Sequence, residues 1–150
     1  MSTLFIVGCF KKPIKIENTK SFRLNYSVGY HMNGDYNYEI IVENDKYIAS
    51  YKKDGVDPED ALKKEVDIEF VHKIEDIMTK YNVNKWDGFN KSDKNVLDGN
   101  SFSFSYSNTD NKSIEAHGYM KWPNNYREFR DEIKALYEKE FENERTTQNE

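Results

Sequence analysis

Cysteine is almost missing from this chain. The single residue, Cys9, closes no internal disulfide and builds no cysteine zinc site. Histidine is scarce too: His31, His72 and His117 lie far apart, and no two have metal-ligand spacing. Nothing approaches the ~20 consecutive apolar residues of a membrane-spanning helix. No basic block stands clear of acids, since 22 Lys and Arg are interspersed among 27 Asp and Glu for a net charge of -5. The electrostatic footprint of a nucleic-acid binder is therefore lacking, and no nucleic-acid partner is expected. The motifs of nucleophilic and phosphate chemistry are missing as well. There is no Gly-x-Ser-x-Gly, no phosphate-binding glycine loop, and no thiol except Cys9 to pair with a histidine. No cofactor is expected. Repeats and low-complexity tracts are absent.

Aromatic residues are plentiful. Hydrophobic residues reach only 37% against 33% charged, a balance that by itself leans toward disorder. Tyr 11, Phe 9 and Trp 2 offset that, because each ring brings a large apolar area. The expectation is one ordered domain with a core of rings, large enough at 150 residues to be continuous. The acidic balance suits a neutral or mildly basic partner.

The chain opens Leu4-Phe5-Ile6-Val7-Gly8-Cys9-Phe10, followed by the polar stretch 11–20. Ile6-Val7-Gly8-Cys9 resembles the bacterial lipobox, in which a small residue precedes the cysteine that receives lipid. Two features depart from that pattern. No basic residue precedes the run, and the run is shorter than the ~7–15 residues of a signal core. The sequence leaves open whether Met1 is the true start or an internal methionine. The alternative is that Leu4 to Phe10 forms a buried strand, which is also a short apolar run. The lipoprotein reading is preferred because this run is apolar throughout, whereas later strands alternate. It makes 1–20 a signal or tether-like segment, 21–143 a single domain and 144–150 a polar tail.

Phe22, Leu24, Tyr26, Val28 and Tyr30 recur with period two, the mark of a half-buried strand. Asn33-Gly34 suits a tight hairpin turn. Tyr36, Tyr38, Ile40 and Val42 alternate again, and after Asn44-Asp45 so do Tyr47, Ala49 and Tyr51. These strands form an antiparallel meander. Residues 58–67 read two ways. Either a long helix starts at Pro58, or Leu62 to Val66 is a short strand and a helix follows with Asp67 as N-cap. The second is preferred, with Ile68, Val71, Ile74, Met78 and Tyr81 as the helix face. Residues 82–100 read as a long surface loop held by Trp86, Phe89, Val96 and Leu97. Phe102, Phe104 and Tyr106 alternate with serine. Their partner strand places Ile114, Ala116, Gly118 and Met120 on one side. Pro123 ends the sheet. Asn125 and Glu128 have capping-box spacing, and Tyr126, Phe129, Ile133, Leu136, Tyr137 and Phe141 make a helical stripe. The order ββ(β)-α-ββ-α implies an α+β two-layer sandwich, an antiparallel sheet with two helices on one face.

Trp86-Asp87-Gly88-Phe89, Val96-Leu97-Asp98-Gly99-Asn100-Ser101-Phe102 and Gly118-Tyr119-Met120-Lys121-Trp122-Pro123-Asn124-Asn125-Tyr126 resemble segments of a family of small, uncharacterised bacterial proteins. The similarity covers roughly residues 20 to 137. It implies a bacterial origin and one compact domain, and it carries no catalytic residues.

The candidate ligand site is the 82–100 loop, with Trp86, Asp87, Phe89, Asp93 and Asp98. An exposed indole and phenyl stack on flat apolar faces, and carboxylates accept hydrogen bonds from hydroxyls or pair with a cation. The plainer account makes Asp87-Gly88 and Asp98-Gly99 ordinary turns and Trp86 a lid on the core. The spacing of Asp93 and Asp98 matches no calcium loop. The three histidines read as surface residues. The leading functional expectation is a non-enzymatic binding or interaction module, lipid-anchored through Cys9 on the extracytoplasmic side, with an unknown ligand or protein partner. The membrane enters only through that anchor. Alternatives are a hydrolase using Asp87, Asp93 and Asp98, and a cytoplasmic protein-binding inhibitor or immunity-type factor.

Overall fold

A computed structural model describes residues 12–27 and 35–144. The Leu4 to Phe10 run with Cys9, the Asn33-Gly34 turn and His31 lie outside them. The fold is mixed α+β, with a seven-stranded sheet in the order β4-β3-β2-β1-β6-β7-β5. The strands are β1 (Thr19–Ser27), β2 (Asp35–Glu43), β3 (Lys46–Lys52), β4 (Leu62–Val66), β5 (Asn90–Ser92), β6 (Ser101–Asn108) and β7 (Ser113–Tyr119). The helices are α1 (Ile68–Lys80) and α2 (Tyr126–Glu140).

Alternation sets which way each strand faces. Leu24 pairs across to Tyr38 on one side and Phe104 on the other, and Phe22 pairs to Ile40 and Tyr106. All six are buried, so the apolar residues of β1, β2 and β6 share one face. Tyr51, paired with Tyr38, and Ala116, paired with Phe104, extend it into β3 and β7. Asn44 and Asp45 both take positive φ, +50° and +60°, as a two-residue β2–β3 turn requires.

The helices bury their stripes in the same core. The Tyr137 ring meets Tyr38 edge-on at 5.1 Å, and its hydroxyl donates to the Glu39 carbonyl at 2.8 Å. Phe129 lies edge-on to Phe104 at 5.8 Å. Phe70 of α1 meets Tyr137 at 5.3 Å. The Glu132 carboxylate of α2 accepts from Tyr81 Oη at 2.6 Å and Lys80 Nζ at 2.9 Å, joining the two helices. Among the described residues no helix is long and apolar enough to cross a membrane.

Residues 58–67 take the strand-then-helix form. Pro58–Asp60 makes a single 3-10 turn, β4 follows, and Asp67 caps α1 by accepting from the Phe70 amide at 2.9 Å.

Several details differ from the sequence reading. The sheet is mixed, because β5 pairs parallel to β7 inside the stretch read as a loop. Those three residues are exposed and polar, so no apolar period marks them. They form a strand because the outer edge of β7 offers backbone partners: His117 donates to the Phe89 carbonyl and Asp93 to the Tyr119 carbonyl, at 2.8 and 2.9 Å. The buried face of α1 is Phe70, Val71, Ile74, Ile77 and Met78, while Ile68 stays 44% exposed. In α2 Leu136 is only half-buried, and Tyr137 fills the position facing the sheet. Asn125 adopts a left-handed φ of 64° and makes no capping bond with its side chain. Its side-chain Nδ2 donates instead to the Tyr81 carbonyl at 3.4 Å. The segment before β1 is held as well. Ile14 and Ile16 lie against the core, and Tyr106 Oη bonds both the amide and the carbonyl of Glu17 at 3.0 and 2.9 Å. Thr19 is buried, its amide and hydroxyl both donating to Glu75. From Ile14 onward, residues assigned to the tether belong to the folded body.

Candidate functional site: a polar trough on the open face of the sheet

The sequence points to the 82–100 loop around Trp86. Its indole is 3% exposed. Trp86 lies edge-on to Phe129 at 5.1 Å and to Phe104 at 5.6 Å, with its Nε1 donating to the Asn124 carbonyl at 3.2 Å. Burial and ring contacts on several sides place the indole as a lid, with no free ring face for stacking. Phe89 is half-buried against Phe102, with the Lys91 ammonium over its ring at 5.4 Å. The carboxylates serve separate local roles. Asp87 Oδ1 accepts from the Glu115 amide at 3.2 Å, tying the loop to β7. Asp93 Oδ1 accepts from the Asn95 amide at 3.0 Å, a turn within the loop. Asp98 is exposed. Tyr119, which the sequence did not mark, holds the rest: its hydroxyl accepts from the Gly99 amide and donates to the Val96 carbonyl. A cleft of about 360 Å3 remains beside this loop, where Phe89 and Trp122 meet Lys85 and Lys91.

No group of three or more His, Cys, Asp or Glu among the described residues is placed to hold a metal ion. His72 and His117 are exposed. Glu132 is held below the usual carboxylate range by the hydrogen bonds from Tyr81 and Lys80. Glu144 is lowered likewise by Lys64. Both shifts favour the charged form, the direction of structural ion pairing rather than of a general acid.

The other face of the sheet carries the second set of alternating residues. Ser21, Arg23, Asn25 and Ser27 of β1 stand between Asn37 and Glu39 of β2 and Ser103, Ser105 and Ser107 of β6. They form a cross-strand hydrogen-bonded lattice. Ser21 and Ser107 hydroxyls lie 2.7 Å apart, and those of Ser27 and Ser101 3.2 Å apart. Asn37 donates to Asn25, which donates to Ser103. Arg23 pairs with Glu39. A trough of about 460 Å3 crosses this lattice, reaching from Lys63 on β4 to Ser103 on β6. Pro58 and Ala61, from the β3–β4 connection, wall one end.

Ser50 lies on the floor of that trough. It is 6% exposed, and its hydroxyl is sealed from solvent with no hydrogen-bond partner among the described residues. It stands in register between Glu39 on β2 and Lys63 on β4.

The sequence reading missed this site. Its only signal was the polar half of each alternating strand, which reads as ordinary solvent exposure until the register is known.

No family model, curated protein or solved structure matches the chain. The function is therefore argued from the site alone.

Proposed function

We propose that this protein is a non-enzymatic binding module of bacterial origin whose contact surface is the polar face of its sheet. The two helices form a second layer over the apolar face, a reading supported by the ring contacts of Tyr137 and Phe129 with β2 and β6. That arrangement leaves the opposite face to solvent. The observation that carries the proposal is the trough of about 460 Å3 that crosses the hydrogen-bonded serine and asparagine lattice of that face. The separate local bonds of Asp87 and Asp93 favour binding over hydrolysis, because paired acid–base chemistry needs carboxylates converging on one point. Attachment to the outer membrane face through Cys9 rests on Ile6-Val7-Gly8-Cys9 alone. It is checked by membrane fractionation of wild type against Cys9→Ser.

The binding proposal is tested by mapping a library of polar small molecules onto assigned amide signals in NMR spectra. Hits should cluster at Asn25, Asn37, Ser50 and Ser103 and leave the library chemically unchanged. Clustering at the Trp122 cleft, or conversion of a library member to product, would overturn it.

A further inference from the structure

We infer that the open face of the sheet is complementary to itself and joins two copies of this chain in a two-fold symmetric dimer; this rests on the binding-module reading above, whose partner it names. One row of residues carries the argument. Register sets Glu115 of β7 opposite Ser105 of β6, and Ser105 opposite Arg23 of β1. It continues from Arg23 to Glu39 of β2, then to Ser50 of β3 and Lys63 of β4. Across the sheet the charges run negative, neutral, positive, negative, neutral, positive. Read backwards, every charge changes sign.

That antisymmetry is what a two-fold axis requires. In an isologous interface each residue meets the one equally far from the axis on its other side, contributed by the second copy. With the axis along the strands, between β1 and β2, Glu115 meets Lys63 of the second copy, Ser105 meets Ser50 and Arg23 meets Glu39. Every acid faces a base, and each contact occurs twice. Opposed charges of this kind fix register and reject wrong partners. The flanking rows are neutral near the axis. On one side Asn25 meets Asn37 and Ser103 meets Lys52. On the other, one step beyond the Phe22–Ile40 pair, Ser21 meets Ile41.

The outer charges are available for these contacts. Lys63 and Glu115 are exposed, and neither has an ion-pair partner among the described residues. Arg23 and Glu39 pair within one copy, and two such pairs across the axis close a ring of four charges. Sheets stacked face to face lie about 10 Å apart, a gap that a lysine and a glutamate span end to end. From β7 to β4 the face is five strand spacings wide, and β3 and β7 are each seven residues long. That is roughly 24 Å in each direction. Two such faces bury on the order of 1,100 Å2 together, slightly above the ~1,000 Å2 of a specific interface. The size suits a reversible dimer, with bridging water where the two troughs open onto one another.

Two charge reversals and their mixture test this. Sedimentation of the full chain from micromolar to millimolar concentration should show a monomer–dimer equilibrium. Lys63→Glu and Glu115→Lys each set like charges together at both ends of the interface, so each should weaken dimerisation about tenfold or more. Mixed in equal amounts, the two variants regain opposite charges at both ends, and dimer should return with close to wild-type affinity. Lys73→Glu, exposed on α1, should change nothing. A dimer indifferent to either reversal, or a mixture that fails to recover, would overturn the inference. A chain that stays monomeric throughout would overturn it as well. In that case, polar library molecules mapping to the trough would leave the binding-module reading standing. If none reached the trough, both would fail.

Discussion

Gly118 and Gly99 illustrate how position decides what one methyl group costs. A Cβ on Gly118 would run into the Lys121 carbonyl oxygen and the Phe102 ring, neither of which can yield without moving the end of β7. A Cβ on Gly99 meets mainly the flexible Met120 side chain. Gly118→Ala should therefore lose about 3 kcal/mol or more in urea unfolding, and Gly99→Ala clearly less. Equal losses would mean that the β7 end yields as easily as a methionine side chain. Trp86 is the second test at this scale. A lid surrounded by rings leaves a large cavity when truncated, so Trp86→Ala should destabilise by about 3–5 kcal/mol. A near-neutral value would restore the stacking-platform account of the loop. Aromatic alternation made Phe102, Phe104 and Tyr106 legible as core from sequence. Ser50 was not legible, because a serine between Ala49 and Tyr51 looks like any solvent-facing residue until the trough closes around it.

At the scale of elements, the segment before β1 separates tether from fold. Ile14 and Ile16 are half-buried against the core, and Glu17 is clamped by Tyr106 Oη. The double change Ile14→Ala and Ile16→Ala should lower stability by about 2–3 kcal/mol in chemical unfolding. A free tether would give no change. The C-terminal helix was legible because an apolar stripe at helical spacing runs from Tyr126 to Phe141. Its fine rotation was not, since Leu136 and Tyr137 are adjacent and either could face inward. The hydrogen bond from Tyr137 to the Glu39 carbonyl favours the tyrosine. Strand β5 could not be read at all. Asn90, Lys91 and Ser92 hold no apolar residue, and their pairing partner lies 27 residues away at His117. The edge strand β4 is marked by charge: Lys64 reaches the Glu140 carbonyl and the Glu144 carboxylate, which ties α2 to the sheet edge.

The whole molecule stakes its core on tyrosine, and this has a pH consequence. Burial pushes Tyr26 up to about 12 and pushes Tyr38, Tyr126 and Tyr137 well above the ordinary value of 10.0. For each, the neutral phenol is favoured in the folded state. The unfolded chain begins to release these protons near pH 10 while the folded chain keeps them. The stabilisation is complete below that pH and is lost as pH rises above it. Each tyrosine contributes a slope of about 1.4 kcal/mol per pH unit in that window, so four give roughly 5–6. Against a typical stability of about 5–15 kcal/mol, cooperative alkaline unfolding is expected as pH climbs past 11. Phenolate absorbance and far-UV circular dichroism, followed together, check this. Gradual phenolate appearance without loss of structure would show the rings to be accessible.

Alternation by itself marked most of the apolar face of β1, β2, β3, β6 and β7, because side chains in a strand point to opposite sides with period two, while Val42 at the end of β2 is left 43% exposed. Helical spacing with Asp67 as N-cap favoured a start of α1 after Asp67, and the structure decided it against a longer helix from Pro58. Strand neighbours beyond the meander, the parallel edge at β5 and the closing of a polar trough around Ser50 were decided only by tertiary structure. Each depends on register between segments distant in sequence. A one-residue slip would move every serine and asparagine of the polar lattice to the other face.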